Sequence, residues 1–138
     1  MSNNDTPAAR LVDLLDLDPS DIAADIIMAA DGHDARMGVV KSLLALAAAV
    51  ASEVEDDQVA VAEGYDVDLD TGETHDGNGT EGEGRALALH HYACAKAAGR
   101  ASRACFKAEQ AFDEAQAKAD AVPCEVTEAE FLAAFKAL

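Results

Sequence analysis

The first residues with chemical potential are His90-His91-x-x-Cys94. On a helix His90 and Cys94 stand four apart and share a face, and zinc accepts nitrogen and sulfur ligands in a tetrahedron. Cys105 lies eleven residues beyond Cys94. That is about 16 Å along a continuous helix, too far to complete the same site or to form a disulfide. Any further ligand would have to come from the acidic half of the chain, from Cys124 or from a second copy. The plainer reading makes Cys94 and Cys105 small apolar residues of a packing seam, because buried free cysteine behaves as a small hydrophobe. His91 then sits at the wetter end of that seam. On this reading no metal or other cofactor is expected, and His90 with Cys94 stands as the alternative metal pair.

Asp66-x-Asp68-x-Asp70 resembles the opening of a calcium loop. An EF-hand requires glycine at its sixth position and glutamate at its twelfth. Here those positions hold Thr71 and Gly77, so the run is read as a solvated acidic loop. His33-Asp34 has the residue types that hold metals in helical phosphohydrolases, but the further histidines and aspartate of such sites cannot be assembled, and Asp34 is read as a helix N-cap. His75-Asp76 falls in a glycine-rich loop. Glu53 and Asp56 have the spacing of magnesium ligands in all-helical nucleotide pyrophosphatases but no second matched pair. No glycine-rich phosphate loop follows a strand, and no serine stands in a nucleophile elbow. The expectation is a non-enzymatic protein.

The remaining chemistry is electrostatic. Lys96, Arg100, Arg103 and Lys107 gather in twelve positions of a chain whose net charge is −17. At 100° per residue they fall, with Arg85 and Lys118, within about 60° of a helical wheel. Lys96/Arg100 and Arg103/Lys107 are like-charge pairs four apart, each costing an isolated helix ~0.2–0.5 kcal/mol. Such a stripe faces negative charge: this chain's own, a second copy's or an acidic partner's, with self-complementation preferred. Residues 1–84 carry 20 acids against Arg10, Arg36 and Lys41, whereas residues 85–138 carry seven of each sign, so all the net charge lies in the first 84. That field repels nucleic acid and anionic membrane and favours basic partners or a salt-rich solvent. Asp56, Asp57, Asp66, Asp68 and Asp70 are the acids expected to meet a partner.

The elements that position these groups are helical, and the fold class is all-α. Thr6-Pro7 and Asp18-Pro19 are start signals, with Ile22, Ile26 and Ala30 on one face of the second helix and Asp31-Gly32 as its stop. A third helix over about 34–63 carries a heptad seam of Met37, Val40, Leu44, Ala47, Ala51, Val54, Gln58 and Val61. A second stripe, Val39, Leu43, Leu46 and Val50, runs beside it, which marks this as the central, most buried helix. Residues 64–84 hold six glycines and seven acids and read as a flexible acidic loop, with Tyr65, Val67 and Leu69 alternating as in a short strand. A fourth helix over about 85–121 has a narrow seam through Leu87, His91, Cys94, Ala98, Ala101, Cys105, Ala108 and Phe112. Such small residues let a neighbour approach to about 8 Å. Thr127 and Glu130 form a capping box for a last helix with Phe131, Phe135 and Leu138 on its apolar face.

The expected architecture is therefore a single helical domain, 1–138, built on a long antiparallel hairpin (34–63 with 85–121) and flanked by short terminal helices. The core is thin because much of the apolar half of the composition is alanine and only six residues are aromatic. No uninterrupted apolar run reaches the roughly 18 residues of a membrane span, and MSNNDTPAAR is not a signal peptide, so a cytoplasmic protein (or a virion component) is expected. Three cysteines without close pairing argue against a disulfide framework. The leading functional expectation is a small acidic interaction protein that binds a basic partner surface, in the manner of mobile-element (phage) inhibitors that mimic nucleic acid. The alternative is a self-assembling structural protein from a salt-adapted source, with homo-oligomer contacts made by the basic stripe. A direct contact with nucleic acid or membrane is not expected.

Overall fold

The computed structural model describes residues 6–65, 67–73 and 81–138. Asp66, His75 and Asp76 lie outside the described residues. The chain is all-α, with α1 (Pro7–Leu15), α2 (Pro19–Ala29), α3 (His33–Glu63), α4 (Glu81–Asp120) and α5 (Glu128–Ala137) in order and no strand among the described residues. The α3–α4 pair forms the hairpin expected from the two long periodic segments.

The helix starts follow from local hydrogen bonds. The Thr6 hydroxyl accepts from the Ala9 N–H at 3.1 Å, and the Asp18 carboxylate accepts from the Ser20 N–H at 2.8 Å, each just before a proline. Both halves of the capping box at α5 are made, Thr127 Oγ1 accepting from Glu130 N–H at 3.2 Å and Glu130 Oε2 from Thr127 N–H at 2.8 Å. Gly32 ends the linker after α2 with φ of 89°, the left-handed region that glycine enters without a Cβ penalty. Two boundaries differ from expectation. Asp34 is not an N-cap: α3 starts at His33, and Asp34 stands in the first turn, where its charge complements the helix dipole. Helix α4 starts at Glu81 rather than near Arg85, so the acidic end of the expected loop becomes helix; acids at a helix N-terminus are favoured for the same reason.

The chain comprises two compact units, Met1–Leu43 and Leu44–Leu138. In the first, α1 and α2 bury no residue completely, and Ile22, Ile26 and Ala30 are half-buried along the expected face of α2. The second holds the rest of α3, the turn after it, α4 and α5. Ser102 Oγ on α4 donates to the Ala48 carbonyl of α3 at 2.8 Å, and His91 lies 2.8 Å from Gln58 across the same pair. Rising numbers on α3 meet falling numbers on α4, which makes the pair antiparallel.

The residues between the two helices are small. Among the described residues the buried apolar ones are Ala62, Ala88 and Ala95, and Gly99 is buried with them. The inward face of α3 in this unit runs through Leu44, Ala48, Ala51, Glu55, Gln58 and Ala62, and that of α4 through Ala88, His91, Ala95, Gly99 and Ser102. This corrects the expectation that α3 is the most buried helix. Ala47 and Val54 of the expected α3 seam are exposed, as are Leu46 and Val50 of the second stripe; Leu87, Ala101 and Ala108 of the expected α4 seam are exposed as well. Small side chains admit the closest axis approach, so both helices rotate to put those faces together. The apolar face of α5 is also open, with Phe131 and Phe135 stacked at 5.8 Å between centroids but both exposed.

Gly99 marks the tightest point. A Cβ built there would overlap the Glu55 carboxylate, which is the mobile end of a flexible side chain. Gly99→Ala is therefore expected to stabilise the protein, by about 0.5–1 kcal/mol from helix propensity, as Glu55 swings aside. Ala95→Leu, which has no such escape, is expected to cost ~1–3 kcal/mol by overpacking, and Ala111→Leu at an exposed site to stay within about 0.5 kcal/mol. Urea unfolding at fixed protein concentration measures all three.

Candidate functional site

The turn after α3 is built by Asp68. Its carboxylate accepts from the Asp70 N–H at 2.9 Å and from the Thr71 N–H at 3.2 Å. The backbone closes the turn, Asp68 N–H donating to the Glu73 carbonyl at 2.8 Å and Gly72 N–H to the Asp68 carbonyl at 2.7 Å. Gly72 has φ of 75°. Tyr65, Val67 and Leu69 consequently form no strand, and Asp68 makes an Asx turn over Asp70 and Thr71. Asp70 is exposed. A cleft of about 310 Å³ lies between this turn and the start of α4, lined by Val67, Leu69, Ala88, Leu89 and Tyr92 with Asp68, Gly72 and Arg85. The lining is mainly apolar, and the Asp68 carboxylate in it accepts from backbone N–H groups.

His90 and Cys94 do come together, Nε2 to Sγ at 3.8 Å, on an exposed face of α4. Among the described residues no third His, Cys, Asp or Glu joins them in a metal-holding group. His91 turns the other way. Its Nδ1 is 2.8 Å from Gln58 Oε1, its ring stacks on Tyr65 with centroids 6.0 Å apart, and it meets His90 edge-on at 5.3 Å. Because an amide oxygen only accepts, this bond places the imidazole proton on Nδ1. His91 thus ties the end of α3 to α4. All three cysteines are free, Cys94 and Cys105 half-buried and Cys124 exposed.

The basic stripe divides among several surroundings. Arg103 Nη1 lies 3.9 Å from Glu55 Oε1, so part of the negative charge it faces belongs to this chain. With Arg103 62% and Glu55 30% exposed, this is a loose, screened pair that supplies orientation more than stability. Lys96 Nζ sits 5.0 Å over the Tyr92 ring. Arg100 and Lys107 are exposed and make no ion pair with a described residue. Asp56 and Asp57 are exposed, and Asp57 accepts from Gln58 Nε2 at 3.2 Å.

The largest unexpected feature is apolar. Leu46, Val50 and Val54 on α3 are 44%, 52% and 43% exposed, in a helical row beside Glu53 and Asp57. A wheel at 100° per residue, oriented by the Ser102–Ala48 and Gln58–His91 contacts, places Val50 and Val54 on one side of the hairpin. Ala97, Ala101 and Ala108 of α4, all exposed, fall on that same side. Lys96, Arg100, Arg103 and Lys107 fall on the other, and Glu55 faces inward between the helices. Glu53 and Asp57 point along the outer edge of α3.

Helix α3 also contains an 18-residue window of mean hydropathy 1.6, long and apolar enough by composition to cross a membrane. Lys41 and Glu53 interrupt the apolar residues of this helix. Insertion would strip α3 of its bonds to Ser102 and His91 on a helix rich in charge. Comparison with family models, curated proteins and solved structures finds no match.

Asp68→Ala tests the turn. Losing two side-chain acceptor contacts, each net about 0.5–1.5 kcal/mol, should speed amide exchange at Asp70 and Thr71 roughly tenfold while leaving α4 amides unchanged. Hydrogen exchange read residue by residue by NMR decides it.

Proposed function

We propose that this chain is a non-enzymatic interaction protein whose working surface is the open apolar side of the α3–α4 hairpin, edged by acids that favour a counterpart carrying cations. The observation that carries the reading is the exposure of Val50 and Val54 on that side while the fully buried positions of the hairpin interface are alanine and glycine. Burying one such aliphatic side chain fully contributes about 1.5–3 kcal/mol. A hairpin whose most buried residues are alanine and glycine, with Val50 and Val54 left open, is arranged to bury those two against something else.

The acids take a secondary role. A mimic of a phosphate backbone works by charge and gains nothing from a row of aliphatic residues between its carboxylates. Glu53 and Asp57 beside Val50 and Val54 instead suit an amphipathic surface with an apolar ridge and basic flanks.

A photo-crosslinking amino acid at position 50 tests this in the native cell. Covalent adducts are expected there and at position 54, and not at position 52 on the charged side. Absence of adducts at 50, 54 and 101 alike would defeat the reading.

A further inference from the structure

The rotation of α4 leaves one pair of groups without the packing role expected of it. The inward face of the helix runs through Ala88, His91, Ala95, Gly99 and Ser102. Cys94 therefore stands off the interface with α3, half-buried, its sulfur beside the exposed His90. We propose that His90 and Cys94 are half of a zinc site, and that a second copy of this chain supplies the same two ligands across a twofold axis through the ion.

The pair already has the length of one tetrahedral edge. Zinc bonds of about 2.3 Å to sulfur and 2.0–2.1 Å to nitrogen, at the tetrahedral angle, set the two donor atoms ~3.6 Å apart. His90 Nε2 and Cys94 Sγ stand 3.8 Å apart. The His90 ring is also braced, meeting the His91 ring edge-on at 5.3 Å, and His91 is itself 2.8 Å from Gln58. Ligation through Nε2 puts the His90 ring proton on Nδ1, and each Cys94 releases its thiol proton to solvent. A thiolate with an imidazole selects zinc over calcium or magnesium, which take oxygen ligands.

The other half of the tetrahedron has no source among the described residues of the same chain. Cys105 is about 16 Å farther along α4, and Cys124 lies past the end of that helix, about 40 Å away. No third His, Cys, Asp or Glu joins the pair among the described residues. A second copy can reach it. On the side away from α3, the helical neighbours of the pair are Ala86, Ala93 and Ala97, all exposed and all shorter than the two ligands. Two copies can thus bring their pairs to one ion, each bond occurring twice, as an isologous contact requires. Two chains of charge −17 repel each other, whereas a zinc ion with two thiolates is locally neutral. Association at this site therefore waits on the metal.

Titration of the reduced, full chain with cobalt(II), followed by zinc(II), tests this. Cobalt is expected to give the intense visible absorption of a tetrahedral ion and a near-ultraviolet thiolate charge-transfer band. Both should saturate at one ion per two chains and bleach as zinc displaces cobalt. Sedimentation equilibrium should show twice the chain mass with zinc and less with a chelator. Cys94→Ser and His90→Ala should each weaken metal binding roughly a hundredfold, since either change removes two of the four ligands. Both positions lie outside the hairpin interface, so helical content by circular dichroism should be unchanged. Cys105→Ser and Cys124→Ser should bind as the parent does. Saturation at one ion per chain without a change of mass would overturn the second copy as ligand donor. A cobalt spectrum without the thiolate band, or binding indifferent to Cys94→Ser and His90→Ala, would mark an adventitious ion only and overturn the site.

Discussion

Two long helices come close where the most buried residues between them are alanine and glycine, and this closeness governs the α3–α4 hairpin. Ala48, Ala51 and Ala62 face Ala88, Ala95, Gly99 and Ser102. The short separation lets the Ser102 hydroxyl reach a carbonyl on the facing helix, and it puts the Glu55 carboxylate directly over Gly99. It also limits what the interface contributes. Apolar stabilisation scales with area, about 25 cal/mol per Å², and alanine has little area to remove from water. Gln58–His91 and Ser102–Ala48 fix register and direction, but hydrogen bonds net only about 1 kcal/mol each. A pair of helices held this way is well specified and modestly stabilised.

The charges serve the same end. Arg103 beside Glu55 is exposed and long, so it adds little energy, but it makes the antiparallel direction the one in which unlike charges meet. Most of the −17 charge lies elsewhere on the first 84 residues. A strong net charge keeps a chain with open aliphatic rows from associating without order, because close approach of copies is repelled. Among the cations of α4, Arg103 lies beside Glu55 of its own chain and Lys96 over the Tyr92 ring.

Local signals were the most legible part of the sequence. Thr6-Pro7, Asp18-Pro19, Asp31-Gly32 and Thr127-x-x-Glu130 each specify a boundary by a hydrogen bond or a backbone conformation available within a few residues, and each is found where its chemistry places it. The rotation of α3 and α4 about their own axes was not legible by the same means. Helix α3 has two adjoining apolar stripes, and polarity alone cannot say which one faces α4. Size can: Ala48, Ala51 and Ala62 match Ala95 and Gly99 in bulk, and Leu46, Val50 and Val54 do not. The Asp68 turn was hidden for a different reason. Acid spacing suggested a cation, whereas the nearest donors to that carboxylate are the chain's own amides at Asp70 and Thr71.

In the proposed role, the open valines of α3 would link folding to binding. If the hairpin's own interface supplies little apolar burial, the row of Leu46, Val50 and Val54 is where most of the remaining stabilisation in this part of the chain is available. A partner that covers this row binds the folded hairpin and not the unfolded chain, so it adds RT ln(1 + [L]/Kd) to stability. The same alanine pairs that hold α3 and α4 closely together therefore leave the hairpin dependent on its surroundings. A core of larger residues would remove that dependence, and with it the exposed face through which the protein can act.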